Sequence, residues 1–141
     1  MEQATRKPRI LVVDDEPSVL ATYRMILLQK GYEPVAAVSS GEARAAIDNE
    51  QLDLLLCDLS LEEKNTGFDV IEYARHAQPR LPSVLLTGYA TKDIAERAAQ
   101  NGIVVLFKPI DIEEFLGTIA AQLRSGNEQE ENRGGKSAVV N

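Results

Sequence analysis

The sequence predicts an α/β domain in which five parallel strands carry helices on both faces. Short, uninterrupted apolar runs such as residues 10–13 (ILVV) and 54–57 (LLLC) read as strands buried on both sides. Between them lie stretches with helical spacing, so strand and helix alternate five times along the chain. The connections are short, which suits crossover helices packed back onto a parallel sheet.

Each element has a local reason. The first strand spans about 9–13, and the first helix about 16–30, with Pro17 in its opening turn and Gly31 as its stop. A second strand near 32–38 precedes an Ala-rich helix at about 40–49, for which Ser39 or Ser40 is the cap. The third strand covers 53–57, and a polar loop through residues 62–67 leads to a helix near 67–77. A strand at 82–87, a helix at about 91–101, a strand at about 103–107 and a helix at about 111–124 complete the series. The folded unit is therefore expected to run over 9–124, after a flexible N-terminus at 1–8. Residues 125–141 (SGNEQEENRGGKSAVVN) are polar and Gly-rich without periodicity, and read as a disordered tail or linker.

Composition narrows the function. A chain of 141 residues is long enough for one domain with a real core. Lys+Arg 15 against Asp+Glu 22 gives a net charge of −7 with no basic stripe, which argues against direct nucleic-acid binding. No apolar stretch is long enough to span a bilayer, and residues 1–9 lack the apolar core of a signal peptide. The single cysteine, Cys57, excludes an internal disulfide, fits a reducing cytoplasm and reads as a small buried hydrophobe. His76, the one histidine, falls on the third helix away from the strand ends, so histidine-driven hydrolysis has little support.

The chemistry gathers where the strands end. Asp14 and Asp15 close the first apolar run, and Asp58 closes the third. In an open parallel sheet, the crevice beyond the carboxyl ends of the strands is the usual ligand site. Three carboxylates brought together there repel one another and call for a cation. Oxygen-only donors select a hard ion, Mg²⁺ or Mn²⁺. The fourth strand ends at Thr87 and Gly88, and the fifth at Lys108 and Pro109. A hydroxyl and an ammonium at the same edge can each take a phosphoryl oxygen, and Gly88 leaves the approach open.

With those four stretches, VVDDEPS (12–18), LLLCDLS (54–60), LLTGYA (85–90) and FKPID (107–111), the chain resembles the receiver domains of two-component response regulators. Any one motif is weak; the ordered set with matching intervals, covering about residues 8–124, is specific. The resemblance implies a flavodoxin-like (βα)5 fold with strand order 2-1-3-4-5. It makes Asp58 the phosphoacceptor, served by a sensor histidine kinase or a histidine phosphotransfer protein. It assigns the metal to Asp15, Asp58 and the Ser60 backbone carbonyl, with Asp14 acting through water or as support. Thr87 and Lys108 would contact the phosphoryl oxygens, and the Lys108–Pro109 bond would be cis. Phosphorylation would switch a surface of the fourth helix, fifth strand and fifth helix, which can also carry a homodimer or engage an output domain. Such a domain catalyses only its own phosphorylation and dephosphorylation.

Departures from the family pattern are specific. Val105 stands where an aromatic ring commonly swings inward, and Phe107 shares its face nearer the site. Glu62 occupies a position where Pro is frequent, one extra residue precedes Gly67, and Glu62 with Glu63 adds acidity that would tune metal affinity or repel acidic partners. Tyr89 and Ser60 flank the path of attacking water, where a bulky Tyr89 would shield an acyl phosphate. On the first helix, Val19, Tyr23, Ile26 and Leu27 are expected inside, with Leu20, Met25 and Leu28 on or near the outer face for kinase docking. Two other classes stay open: a phosphorylation-independent receiver-like scaffold, which Val105 keeps alive, and a phosphohydrolase. The latter needs a second acid two residues after the nucleophile, where Ser60 stands. A flavin site fits poorly, since the first loop is Asp-Asp-Glu rather than a phosphate cradle.

Overall fold

The computed structural model describes residues 6–62, 66–89 and 91–139, with side chains as far as Gly126. Glu63 and Ala90 lie outside the described residues. The order is β1 (Arg9–Val13), α1 (Pro17–Gln29), β2 (Glu33–Ala37), α2 (Ser40–Asn49), β3 (Leu54–Asp58), α3 (Gly67–Ala77), β4 (Ser83–Thr87), α4 (Lys92–Gln100), β5 (Val104–Phe107) and α5 (Ile112–Val139). All strand pairs are parallel, in the order β2-β1-β3-β4-β5.

Strand alternation divides the core between the two faces of the sheet. Leu11, Val13, Leu55, Cys57 and Leu85 pack with α2, α3 and α4. Ile10, Val12, Leu54, Leu56, Val84, Leu86 and Leu106 pack with α1 and α5, where Phe115 and Ile119 are fully buried. Because β1, β3 and β4 are covered on both faces, their sequences are continuous apolar runs.

Helix starts follow side-chain chemistry. Pro17 opens α1, the Ser39 hydroxyl accepts from the Glu42 amide at 3.1 Å, and Thr91 accepts from Ile94 at 3.2 Å. Thr66 and Asp69 form a reciprocal capping box on α3. The left-handed Gly31 (φ 86°) ends α1.

Two expectations need correction. Leu20 is buried rather than outward, because the inner stripe of α1 runs 20–23–27; Met25 and Leu28 are exposed as expected. Helix α5 continues to Val139, through the segment expected to lack regular structure. The Glu, Gln and Arg residues of 128–133 are good helix formers, and an existing helix extends without a new nucleus. Among the described residues, no helix is long and apolar enough to cross a membrane.

Candidate functional site

Adjacency of β1 and β3 brings the two acidic ends together. Val13 lies opposite Cys57, so Asp14 and Asp58 emerge side by side. The backbone fixes Asp14 first: its amide donates to the Ala37 carbonyl at 3.1 Å, which extends the β1–β2 pairing by one residue. Its carboxylate then accepts from the Glu16 amide at 2.9 Å, shaping the turn into α1. Carboxylate oxygens of Asp14, Asp15 and Asp58 lie within 4.8 Å of one another. Asp14 and Asp58 are buried and Asp15 is exposed, so the cluster opens to solvent on one side.

Lys108 enters from the far side, since its amide donates to the Thr87 carbonyl at 2.7 Å and continues the β4–β5 ladder past Phe107. Its ammonium reaches Asp58 Oδ1 at 2.6 Å and Asp14 Oδ2 at 3.3 Å. The Lys108–Pro109 bond is cis. The Ser60 amide donates to Asp58 Oδ2 at 3.1 Å, so both oxygens of the Asp58 carboxylate are held. Thr87 is buried and its hydroxyl accepts from the Tyr89 amide at 2.9 Å, which leaves the hydroxyl proton available to another acceptor.

The electrostatics match this packing. Burial raises the Asp58 carboxyl above its usual range, the nearby Asp14 charge adds to that, and Lys108 and the Ser60 amide only partly offset it. Burial alone would depress Lys108; its hydrogen bond to Asp58 and the charges of Asp58 and Asp14 outweigh that and push it up to about 12. Lys108 pairs with two of the three clustered carboxylates, Asp58 and Asp14. The donor set, all oxygen and with excess negative charge, suits a hard divalent cation.

Backbone packing at α3 sets the position of Asp58. A Cβ on Gly67 would come 2.5 Å from the Asp58 carbonyl oxygen and 2.8 Å from the Leu85 side chain. Only glycine lets the helix start so close to the strand end. At Gly88 a Cβ would meet nothing within 4 Å, so that approach is open without packing pressure for glycine.

The remaining singled-out residues lie around this centre. Tyr89 is 62 % exposed and makes its described hydrogen bond through the backbone, not through the ring. Val105 is half-buried against the α4 side of the core, and Phe107 sits opposite Thr87 in register with its ring partly exposed. Pro109 is exposed beside Lys108, and His76 is exposed with Nδ1 3.0 Å from the Glu72 carbonyl. Glu62 does not join the acidic cluster: it turns to α2, where it accepts from Ser40. The sequence pattern did not signal that pairing, because nothing in the spacing of residues 40 and 62 links them. Tyr23 was expected only as core, yet it stacks on Phe115 at 5.2 Å, close enough to Lys108, Asp14 and Asp58 to feel their charges.

Comparison with known proteins identifies the family. Residues 10–120 fit the family model of the response regulator receiver domain. The alginate biosynthesis transcriptional regulatory protein AlgB of Pseudomonas aeruginosa is 37 % identical over 125 residues, which is 87 % of this chain and 28 % of that protein. The transcriptional regulatory protein GlrR of Escherichia coli is 32 % identical over 109 residues, 76 % of this chain and 24 % of its own length. The crystal structure of a CheY-like receiver domain protein from Methanospirillum hungatei superposes with a TM-score of 0.82 at 30 % identity, covering 87 % of this chain and 98 % of that one. This chain belongs to the response regulator receiver domain family, the signalling domains of two-component systems. It spans 28 % or less of the length of these curated relatives.

Proposed function

We propose that this receiver domain accepts a phosphoryl group on Asp58 in a Mg²⁺-dependent reaction. The observation that carries the reading is Asp58 itself: a buried strand-end carboxylate, 2.6 Å from the Lys108 ammonium and within 4.8 Å of the Asp14 and Asp15 oxygens.

Asp15, Asp58 and the Ser60 backbone carbonyl would hold the ion, with Asp14 supporting it through water. Bound there, Mg²⁺ (or Mn²⁺) would neutralise the phosphoryl oxygens. An Asp58 oxygen attacks phosphorus in line as the bond from phosphorus to the donor's histidine nitrogen breaks, giving an acyl phosphate and freeing the imidazole. Such transfers have loose transition states, so positioning and charge supply most of the rate. Lys108 moves from the carboxylate to a phosphoryl oxygen, and the Thr87 hydroxyl donates its proton to another. These contacts exist only in the phosphorylated state and bias α4, β5 and α5 toward a second conformation.

The donor would be a sensor histidine kinase or histidine phosphotransfer protein, docking over the exposed Met25 and Leu28 of α1. The curated relatives are transcriptional regulators of which this chain matches a minor part. Control of a separate output region or partner, with a homodimer through the α4–β5–α5 face as one route, is the corresponding role.

The test is intact mass after incubation with acetyl phosphate and Mg²⁺, beside Asp58→Ala and a metal-free control. A Mg²⁺-dependent phosphoryl adduct absent from Asp58→Ala supports the reading. No adduct, where a known receiver is labelled, turns the function toward a phosphorylation-independent scaffold. Phosphate release over many turnovers without a stable adduct would indicate a hydrolase.

A further inference from the structure

The loop from β3 to α3 carries the Ser60 backbone that touches Asp58, and it is tied down at separate points. At its base, Ser60 bridges to Thr66, and the Gly67 amide donates to the Leu59 carbonyl at 2.7 Å. On its inner side, Leu61 is buried in the core beneath α2 and α3. Its outer arm is held by Glu62. That carboxylate accepts from the Ser40 amide at 3.1 Å and 3.2 Å, and from the Ser40 hydroxyl at 2.5 Å.

The location of Ser40 makes this contact strong. Ser40 is the first residue of α2, its amide is one of the donors without an intrahelical partner, and the helix end carries partial positive charge. Ser39 already serves the Glu42 amide, so Glu62 supplies an acceptor that the helix's own cap does not. Ser40 is buried, which strengthens a charge-assisted bond there. The contact joins two segments 22 residues apart.

We propose that Glu62 is a positioning residue of the phosphoacceptor site, a latch to Ser40 that holds the Ser60 backbone in register with Asp58 and the metal. The inference rests on the Mg²⁺-dependent reading above. Its physical basis is that groups which orient a metal's ligands contribute to affinity without touching the ion. Released from Ser40, the arm keeps its Leu61 anchor and its Ser60–Thr66 base, so the fold persists while residues 60–62 sample more positions. The Ser60 carbonyl then pays an ordering cost each time the ion binds.

The experiment is calorimetric Mg²⁺ titration of wild type, Glu62→Ala, Ser40→Ala and the double variant, with circular dichroism melts of each. Acetyl phosphate labelling is measured at limiting and at saturating Mg²⁺. The latch predicts that Glu62→Ala weakens Mg²⁺ binding about tenfold, the lower end for groups that orient metal ligands. Ser40→Ala should weaken it in the same direction, the double variant should add little, and saturating Mg²⁺ should restore most of the labelling. A melting midpoint that falls while the Mg²⁺ Kd stays within about twofold of wild type would overturn it, leaving a purely structural cap. Additive losses in the double variant would overturn it as well, since they deny that the two residues act through one contact. Wild type that neither binds Mg²⁺ nor labels would instead sink the parent reading. Should Glu62→Ala fail to fold, Glu62→Met keeps the length of the side chain without an acceptor and carries the same comparison.

Discussion

Strands β3 and β4 are buried along their whole length, whereas β5 has only Leu106 fully buried and ends on the partly exposed Phe107. The helices differ in the same sense: α3 buries Phe68, Val70, Ile71 and Ala74, while α4 buries Ala98 alone. Asp58 and Lys108 therefore meet across a gradient of packing. The acid stands at the end of the dense half, and the ammonium arrives from the loose one. Chemistry that depends on fixed distances benefits from the first, and a surface that must change state benefits from the second.

The largest losses are expected in the dense half. Leu56→Ala, at a side chain with no exposure, should cost about 2–5 kcal/mol in urea unfolding. Val105→Ala, half-buried in the edge strand, should cost only about 1 kcal/mol. Equal costs would deny the gradient. Gly67→Ala should come next, at about 1–3 kcal/mol, because its Cβ must displace the Asp58 carbonyl or the Leu85 side chain. It should also weaken Mg²⁺ binding by calorimetry, which a plain loss of helix stability would not do.

Asp58→Asn acts in the opposite direction. The Asp58 carboxyl titrates above its usual range when folded, mainly because it is buried, so the native state binds more protons than the unfolded chain above that usual range. Stability from this group is thus greatest at low pH and is lost as pH rises through its folded titration. Without Mg²⁺, Asp58→Asn should melt at a higher temperature than wild type at pH 7, and the difference should shrink on acidification. Mg²⁺ should then stabilise wild type and not the variant.

The smallest effect tests how α3 holds α4. The Arg97 guanidinium lies 4.1 Å from the Phe68 ring centroid, and Arg75 donates to the carbonyl of Asn101, the residue that closes α4, at 2.6 Å. Arg97→Ala should cost about 0.5–2 kcal/mol by denaturant titration. It should loosen α4 in amide exchange while leaving the β3 amides protected.

The same division governs what could be read from the sequence. The dense half was legible, because a strand covered on both sides leaves a continuous apolar run and an acid at its end breaks the run visibly; Asp14, Asp15 and Asp58 stood out on that account. Lys108 and Thr87 were legible as the ends of two more runs. Leu20 lies inside rather than outside, since α1 carries apolar residues on more than one face and its phase is set by packing on the sheet face formed by Ile10, Val12, Leu54 and Leu56. The Ser40–Glu62 pair was invisible: it joins a helix start to a loop, and neither propensity nor periodicity encodes such a contact. The helical course of residues 125–139 was missed because Gly134 and Gly135 weigh against it locally, whereas a helix already nucleated at Ile112 can run through them.

In the proposed function the signal is made in the dense half and expressed in the loose one despite Val105. Backbone amide NMR shifts, recorded with Mg²⁺ before and after acetyl phosphate, test it most directly. Large changes are expected at residues 58–60 and 87–89, continuing through α4, β5 and the first turns of α5, with α2 and β2 nearly unchanged. Changes confined to the residues around Asp58, with α4 and β5 unmoved in the fully phosphorylated protein, would contradict it.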